Sequence, residues 1–209
     1  MALTGNIAFE YEERLIKAFP SELTGDVKKV IQIVPFNDNE IQLHDGRFHK
    51  VGDLIHSDSF SLKFNNESLT IPYRLYFNEP NPELEIGLTN RQKDILNCIY
   101  LRHFNGFIRE KRLKLISDNA DRWVVPYVVK LLGEYLYELL PVIDKKVNEY
   151  TLEYYFEYAN ENQKYWQQTE SRMISIWDLH YRSRFPKLKE YIGYKIIKRI
   201  KKRTPNKPS

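Results

Sequence analysis

One cysteine, Cys98, occurs in the 209 residues. No intrachain disulfide can form, no Cys-based zinc site can be assembled, and a reducing compartment is expected. Glycine is scarce as well, with 8 residues scattered singly, so no Gly-rich phosphate loop exists. A Ser-centred nucleophile elbow, an H-E-x-x-H pair and a Cys-His pairing of recognisable spacing are all missing. Long uncharged apolar runs are missing too. The greasiest stretch, Trp123 to Ile143, has the length of a membrane span but carries Lys130, Glu134 and Glu138. Each charge costs about 2.5 to 3.5 kcal/mol at a bilayer centre, so a buried soluble helix is expected there. The opening Met-Ala-Leu-Thr-Gly-Asn, followed by Glu10, Glu12 and Glu13, lacks the basic start and apolar core of a secretory signal. A cytoplasmic location is the expectation.

Excess charge is nearly absent overall, at +4, but it is unevenly placed. From Arg182 to Ser209 eleven Lys and Arg face one acid, Glu190, while the preceding 181 residues hold 21 basic and 27 acidic side chains. A mildly acidic body with a cationic end points to phosphate, an anionic surface or an acidic protein patch as partner. Hydrophobic content of 42% and charged content of 29% are globular values.

Periodicity divides the chain. Phe9, Tyr11, Leu15 and Ala18 predict an opening helix stopped by Pro20. Val30 to Val34 reads as a short β-branched strand, and Asp45-Gly46 as a two-residue hairpin turn. That turn would pair His44 with Arg47, Leu43 with Phe48, Gln42 with His49 and Ile41 with Lys50, gathering Ile41, Leu43 and Phe48 on one face. Phe60, Leu62 and Phe64 alternate before Asn65-Asn66, and Leu69, Ile71, Tyr73, Leu75 and Phe77 alternate after it. Pro72 requires an edge or a bulge. The predicted fold class is therefore α+β: a short N-terminal helix and an antiparallel meander of about five strands over residues 1–80, a linker at 81–87, a bundle of five or six helices over 88–203, and a frayed tail at 204–209. One compact body is expected.

In the helical half, Thr89 and Gln92 have capping-box spacing, and Asn105-Gly106 reads as a left-handed stop for a helix ending near Phe104. A second helix to Ile116 sets Ile108, Leu113, Leu115 and Ile116 against Arg109, Lys111, Arg112 and Lys114. A third, from about Val125 to Leu140, is apolar nearly all round and should form the centre of the bundle, with Pro141 ending it. Tyr150 to Ala159 and Tyr165 to Tyr181 follow, separated near Asn160-Glu161-Asn162. Pro186 opens a last helix in which Leu188, Ile192, Ile196 and Ile200 recur at fours.

No constellation demands a reaction, so the candidate sites are binding sites. Arg102, His103, Arg109 and Arg112 gather around Asn105-Gly106. A helix-turn-helix is excluded there, because the next helix is too apolar to read bases. Arg172, Trp177, Tyr181 and Arg182 form an aromatic and arginine set of the kind that dominates binding hot spots, and they are the preferred partner-binding residues. Lys195, Lys198, Arg199, Lys201, Lys202 and Arg203 are the polyanion candidates. His44, Asp45, His49, Asp53, His56 and Asp58 have metal-binding atoms but no fixed third ligand, so no metal and no cofactor is assigned. Glu134 and Glu138 are the general acid or base candidates, and Cys98 reads as a core thiol. These features suggest a non-catalytic cytoplasmic binding protein of bacterial immunity or adaptor type whose partner is another protein. A nucleic-acid-associated protein using the basic C-terminal helix is the alternative, and an enzyme of unknown class the third reading.

Overall fold

The computed structural model describes residues 5–43 and 46–202. The chain is a mixed α and β protein with two compact units, the first ending at Ile116 and the second starting at Ser117. The composition change at 81–87 and this packing boundary are different places in the chain, because the helices that follow the Pro-rich segment pack into the first unit.

The first unit opens with α1 (Gly5–Ile16) and α2 (Thr24–Ile31). The strand expected at Val30 to Val34 is not formed. Leu23, Val27, Val30, Ile31 and Val34 are all buried, and their spacing of four, three, one and three is helical, so one stripe of α2 and its C-terminal turn faces the core. β-branching pointed to strand, but the period decided the outcome.

The five-stranded meander is replaced by two separate two-stranded antiparallel sheets: β1 (Glu40–Gln42) with β2 (Phe48–Lys50), and β3 (Ser59–Phe64) with β4 (Glu67–Pro72). In the first hairpin Ile41 pairs with His49 and Gln42 with Phe48, one residue away from the expected register. The cause is loop length. The Leu43 N–H donates to the Arg47 carbonyl at 2.8 Å, leaving three residues in the loop, and Gly46 takes φ 82. Three-residue loops of this kind place glycine in the left-handed region. A slip of one residue moves a side chain to the opposite face. Ile41 is accordingly buried while Phe48 is 69% exposed. His44 and Asp45 lie outside the described residues.

The second hairpin turns where it was expected, at Asn65-Asn66, though its second strand ends before Leu75 and Phe77. Phe64 pairs with Glu67 across Asn65-Asn66, and Asn65 adopts φ 53. The ladder ends at Pro72, which has no N–H to donate. Beyond it Leu75 makes isolated bridges to Ile55 and His103, and Leu75 and Phe77 are fully buried.

After α3 (Pro82–Glu85), Thr89 and Gln92 form the predicted capping box on α4 (Asn90–Tyr100). This helix stops before Phe104 because the next backbone groups are used elsewhere: the Leu75 N–H donates to the Arg102 carbonyl and the Phe104 N–H to the Leu75 carbonyl, each at 2.9 Å. Asn105 is not a left-handed stop. It is the N-cap of α5 (Gly106–Leu115), its side chain accepting the Phe107 N–H at 2.9 Å.

In the second unit the predicted helix from Val125 to Leu140 is not continuous: α6 (Val125–Leu131) ends early, residues 132–138 form turns, and α7 (Leu139–Lys146) begins only at the end of the predicted span. Pro141 does not end a helix but sits in the first turn of α7, where its missing N–H has no intrahelical acceptor to lose. Every residue from Trp123 to Leu132 is buried. At Gly133 an added Cβ would lie 3.3 Å from the Arg172 Cβ, so the turn leaves little room there for a side chain. α8 (Leu152–Glu161) and α9 (Gln163–Ile176) part at Asn162, and α9 continues as a π-helical turn, Trp177–Tyr181. The last helix, α10 (Ile192–Lys201), begins later than Pro186, after a 3-10 turn at Leu188–Glu190. α10 packs on α7, α8 and α9, and α8 on α6, which makes this unit a helical bundle. Among the described residues no helix is long and apolar enough to cross a membrane.

Thr89→Ala removes the hydroxyl that accepts the Gln92 N–H and should cost about 1 kcal/mol, with Thr89→Ser close to wild type. Urea unfolding followed by circular dichroism checks this as a fall in midpoint at unchanged slope.

Candidate functional site

The arginines around Asn105 point inward. Arg102, His103, Arg109 and Arg112 are at most 2% exposed. Arg112 donates from Nε to Glu79 at 2.6 Å and from both terminal nitrogens to the two Glu85 oxygens at 2.9 and 2.8 Å, with its guanidinium 4.9 Å from the centre of the Tyr100 ring. Lys111 adds a 3.0 Å pair to Glu79. Burial alone would raise the Glu79 carboxyl, but the bond from Lys111 and the Arg112 charge outweigh it and hold Glu79 below the usual carboxylate range. Arg109 donates to the His103 and Phe104 carbonyls at 2.7 and 2.8 Å, and Arg102 to the Tyr73 carbonyl at 2.5 Å. These four were expected on a contact surface. Their polar atoms instead bind the strand exit and α3 to the α4–α5 connection. α5 buries Leu113 and Ile116 and exposes Lys111 and Lys114 as predicted, but it also buries Arg109 and Arg112 and leaves Leu115 56% exposed, with Phe107 71% exposed.

His103 is held as a neutral ring. Its Nδ1 accepts the Asn105 N–H at 3.1 Å, so the proton sits on Nε2, which donates to the Phe77 carbonyl at 3.0 Å. Burial is the main cause that pushes its pKa from 6.5 down to about 4. Cys98 is fully buried in α4, and burial, with Asp94, pushes its thiol well up.

The second unit places the other set differently. The π turn at Trp177–Tyr181 stands against a cluster of four rings, Tyr137, Tyr181, Phe185 and Tyr191, whose neighbouring centroids are 5.5 to 5.8 Å apart. The Tyr181 hydroxyl donates to the Tyr135 carbonyl and accepts the Tyr137 N–H, and the Trp177 indole donates to the Phe185 carbonyl at 2.9 Å. Burial raises the pKa of the Tyr181 and Tyr191 hydroxyls. Arg184 lies 4.6 Å from the Tyr137 ring centre, Arg182 lies 5.8 Å from that of Trp177, and Arg182 pairs with Asp178 at 2.8 Å. Around this frame Leu179 is 77% and Tyr135 60% exposed, Arg172 and Arg182 are exposed, and Trp177 and Tyr181 are half-buried.

Tyr137, Phe185, Tyr191, Tyr135 and Leu179 were not singled out from sequence. The i,i+4 pair Trp177 and Tyr181 carried the signal, but a π turn is wider than an α turn and re-aims the residues within it.

Of the polyanion candidates, Arg199 pairs with Asp144 at 2.9 Å and Lys201 pairs with Glu170 at 2.5 Å. Lys195, Lys198 and Lys202 are exposed, and Arg203 lies outside the described residues. Among the described residues no three His, Cys, Asp or Glu side chains gather as a metal set. Glu134 is buried and Glu138 exposed. Two open clefts, one of 420 Å³ beside Glu10, Arg14 and Asp53 and one of 240 Å³ beside Trp166, Gln163 and Lys201, are lined by neither of them nor by the Arg102 to Arg112 set.

Comparison with protein-family models, curated proteins and solved structures gives no match. What the fold and these surfaces define is a class only: a mixed α and β protein with an arginine-filled interior in one unit and an aromatic and cationic exterior on the other.

Because the folded state disfavours the His103 imidazolium, the unfolded chain binds the extra proton between pH 6.5 and about 4. Stability should rise with pH through this window and be lost as pH falls through it, by about 3 kcal/mol in total. Glu79 acts in the same direction, but only below the ordinary carboxylate pKa. Unfolding midpoints of wild type and His103→Gln, measured from pH 7 to 4, separate the two, since Gln can keep both bonds without titrating. Arg112→Ala should cost 3 to 5 kcal/mol at pH 7, roughly the value for stranding buried carboxylates by removing their partner.

Proposed function

We propose that the protein acts by binding another protein, in an adaptor or immunity-type role, through the end of α9 and without chemistry of its own. The observation that carries this reading is the π turn, which leaves Leu179 77% exposed while its Trp177 and Tyr181 are tied by hydrogen bonds into an aromatic frame. Trp, Tyr and Arg supply most of the energy at protein interfaces, and large apolar groups held outward in one place are rarely without a partner. The frame matters as much as the composition. Trp177 and Tyr181 are already tied to backbone carbonyls, so little rotamer freedom remains to be lost on association. Arg172 and Arg182 supply a cationic rim that suits an acidic patch around an apolar centre.

Affinity capture from the source organism, followed by titration with the purified partner, tests the reading. Leu179→Asp and Arg182→Glu should each weaken binding by about 30-fold, corresponding to about 2 kcal/mol. Phe107→Ser, which changes an equally exposed residue of the first unit, should leave it unchanged. Equal affinity for wild type and Leu179→Asp would exclude the π turn as the contact.

A further inference from the structure

The cationic segment after the π turn is a different surface with different chemistry. Between Arg182 and Lys202 stand nine Lys and Arg and one acid. Three of the nine are engaged in ion pairs: Arg182 with Asp178, Arg199 with Asp144, and Lys201 with Glu170. The other six, Arg184, Lys187, Lys189, Lys195, Lys198 and Lys202, are exposed and make no ion pair among the described residues. Lys195, Lys198 and Lys202 fall at i, i+3 and i+7 of α10, a single stripe about 10 Å long at 1.5 Å per residue.

Of two ordinary explanations, one covers only part of this set and the other does not apply. Lysines in the last turn of a helix offset its negative end, which accounts for Lys198 and Lys202. Arg184, Lys187 and Lys189 precede the first turn of α10 and Lys195 lies within it, where the dipole is positive and further cations are disfavoured. The second explanation is an interfacial membrane helix, which needs apolar side chains turned outward. Those of α10 are turned inward: Tyr191, Ile196, Ile197 and Ile200 are at most 2% exposed. The same burial argues against a protein partner on this face, since a protein interface requires a desolvated apolar centre and here the exposed side is cationic.

We propose that this segment binds the phosphate backbone of nucleic acid, without reading sequence. Unneutralised cations at regular spacing on a rigid helix are what counterion release requires, and no base-reading group is needed. The surface is independent of the π turn, so either proposal can fail without the other.

The test uses the full chain and a fluorescently labelled 20-base-pair DNA duplex, with anisotropy read between 50 and 200 mM salt. The wild type should bind with Kd of about 10⁻⁵ M near physiological salt, with log K falling linearly against log salt. Lys195→Gln/Lys198→Gln/Lys202→Gln should flatten that slope by about 2.7, roughly 0.9 for each lost phosphate contact. Arg199→Gln/Lys201→Gln, which removes cations already paired within the unit, should leave the slope unchanged. Unfolding midpoints confirm that both variants fold. The proposal is overturned if wild type shows no salt-dependent binding, or if the triple variant keeps the wild-type slope. It is equally overturned if the paired double variant loses as much per charge, or if phosphatidylserine vesicles are bound more tightly than the duplex at equal anion concentration.

Discussion

The guanidinium of Arg112, buried between Glu79 and Glu85 and stacked near Tyr100, is the interaction on which the first unit depends. It ties three pieces that have little else in common: the chain leaving the second hairpin, the four-residue helix α3, and α5. A buried ion pair adds little net stability compared with an apolar substitute, because desolvation offsets much of the attraction. Its effect here is specificity. Two carboxylates meeting one fork admit a single relative placement of the three segments, whereas greasy contacts among Pro80, Pro82 and their surroundings would admit several. Arg102 and Arg109 act alike, donating to the backbone carbonyls of Pro72, at the end of β4, and of residues 73, 103 and 104 beyond the ladders.

This inward use of arginine explains where sequence reading succeeded and where it failed. Local hydrogen-bond chemistry was legible: Thr89 with Gln92, and Asn65-Asn66 with its alternating flanks, lie where the pattern places them. Features set by tertiary demand were not. On α5 all four cations were assigned to solvent, since a cation normally faces water. Lys111 and Lys114 do face it, but the distant Glu79 and Glu85 draw Arg112 inward and the His103 and Phe104 carbonyls draw in Arg109. At Asp45-Gly46 one residue of loop length decided which face Phe48 would occupy. Along α2 the β-branched residues suggested a strand, although their spacing was helical throughout.

The candidate surfaces follow the same division. Arg172, Trp177, Tyr181 and Arg182 could be picked out by type, but not the widened turn that presents Leu179, nor the rings of Tyr137, Phe185 and Tyr191 behind it. Likewise the density of lysine on α10 is plain in the sequence, whereas the distinction between paired and unpaired cations needs Asp144 and Glu170 in place. Residue type indicates which groups can bind. Packing decides which of them still face outward.

All three tryptophans, Trp123, Trp166 and Trp177, belong to the second unit, the first two buried and the third half-buried with its indole bonded to a carbonyl. The first unit holds tyrosine and phenylalanine but no indole. Intrinsic emission excited at the red edge therefore comes from one half of the molecule alone. The chain thus carries its own optical label, able to report loosening of the helical bundle while remaining blind to the arginine-stapled portion.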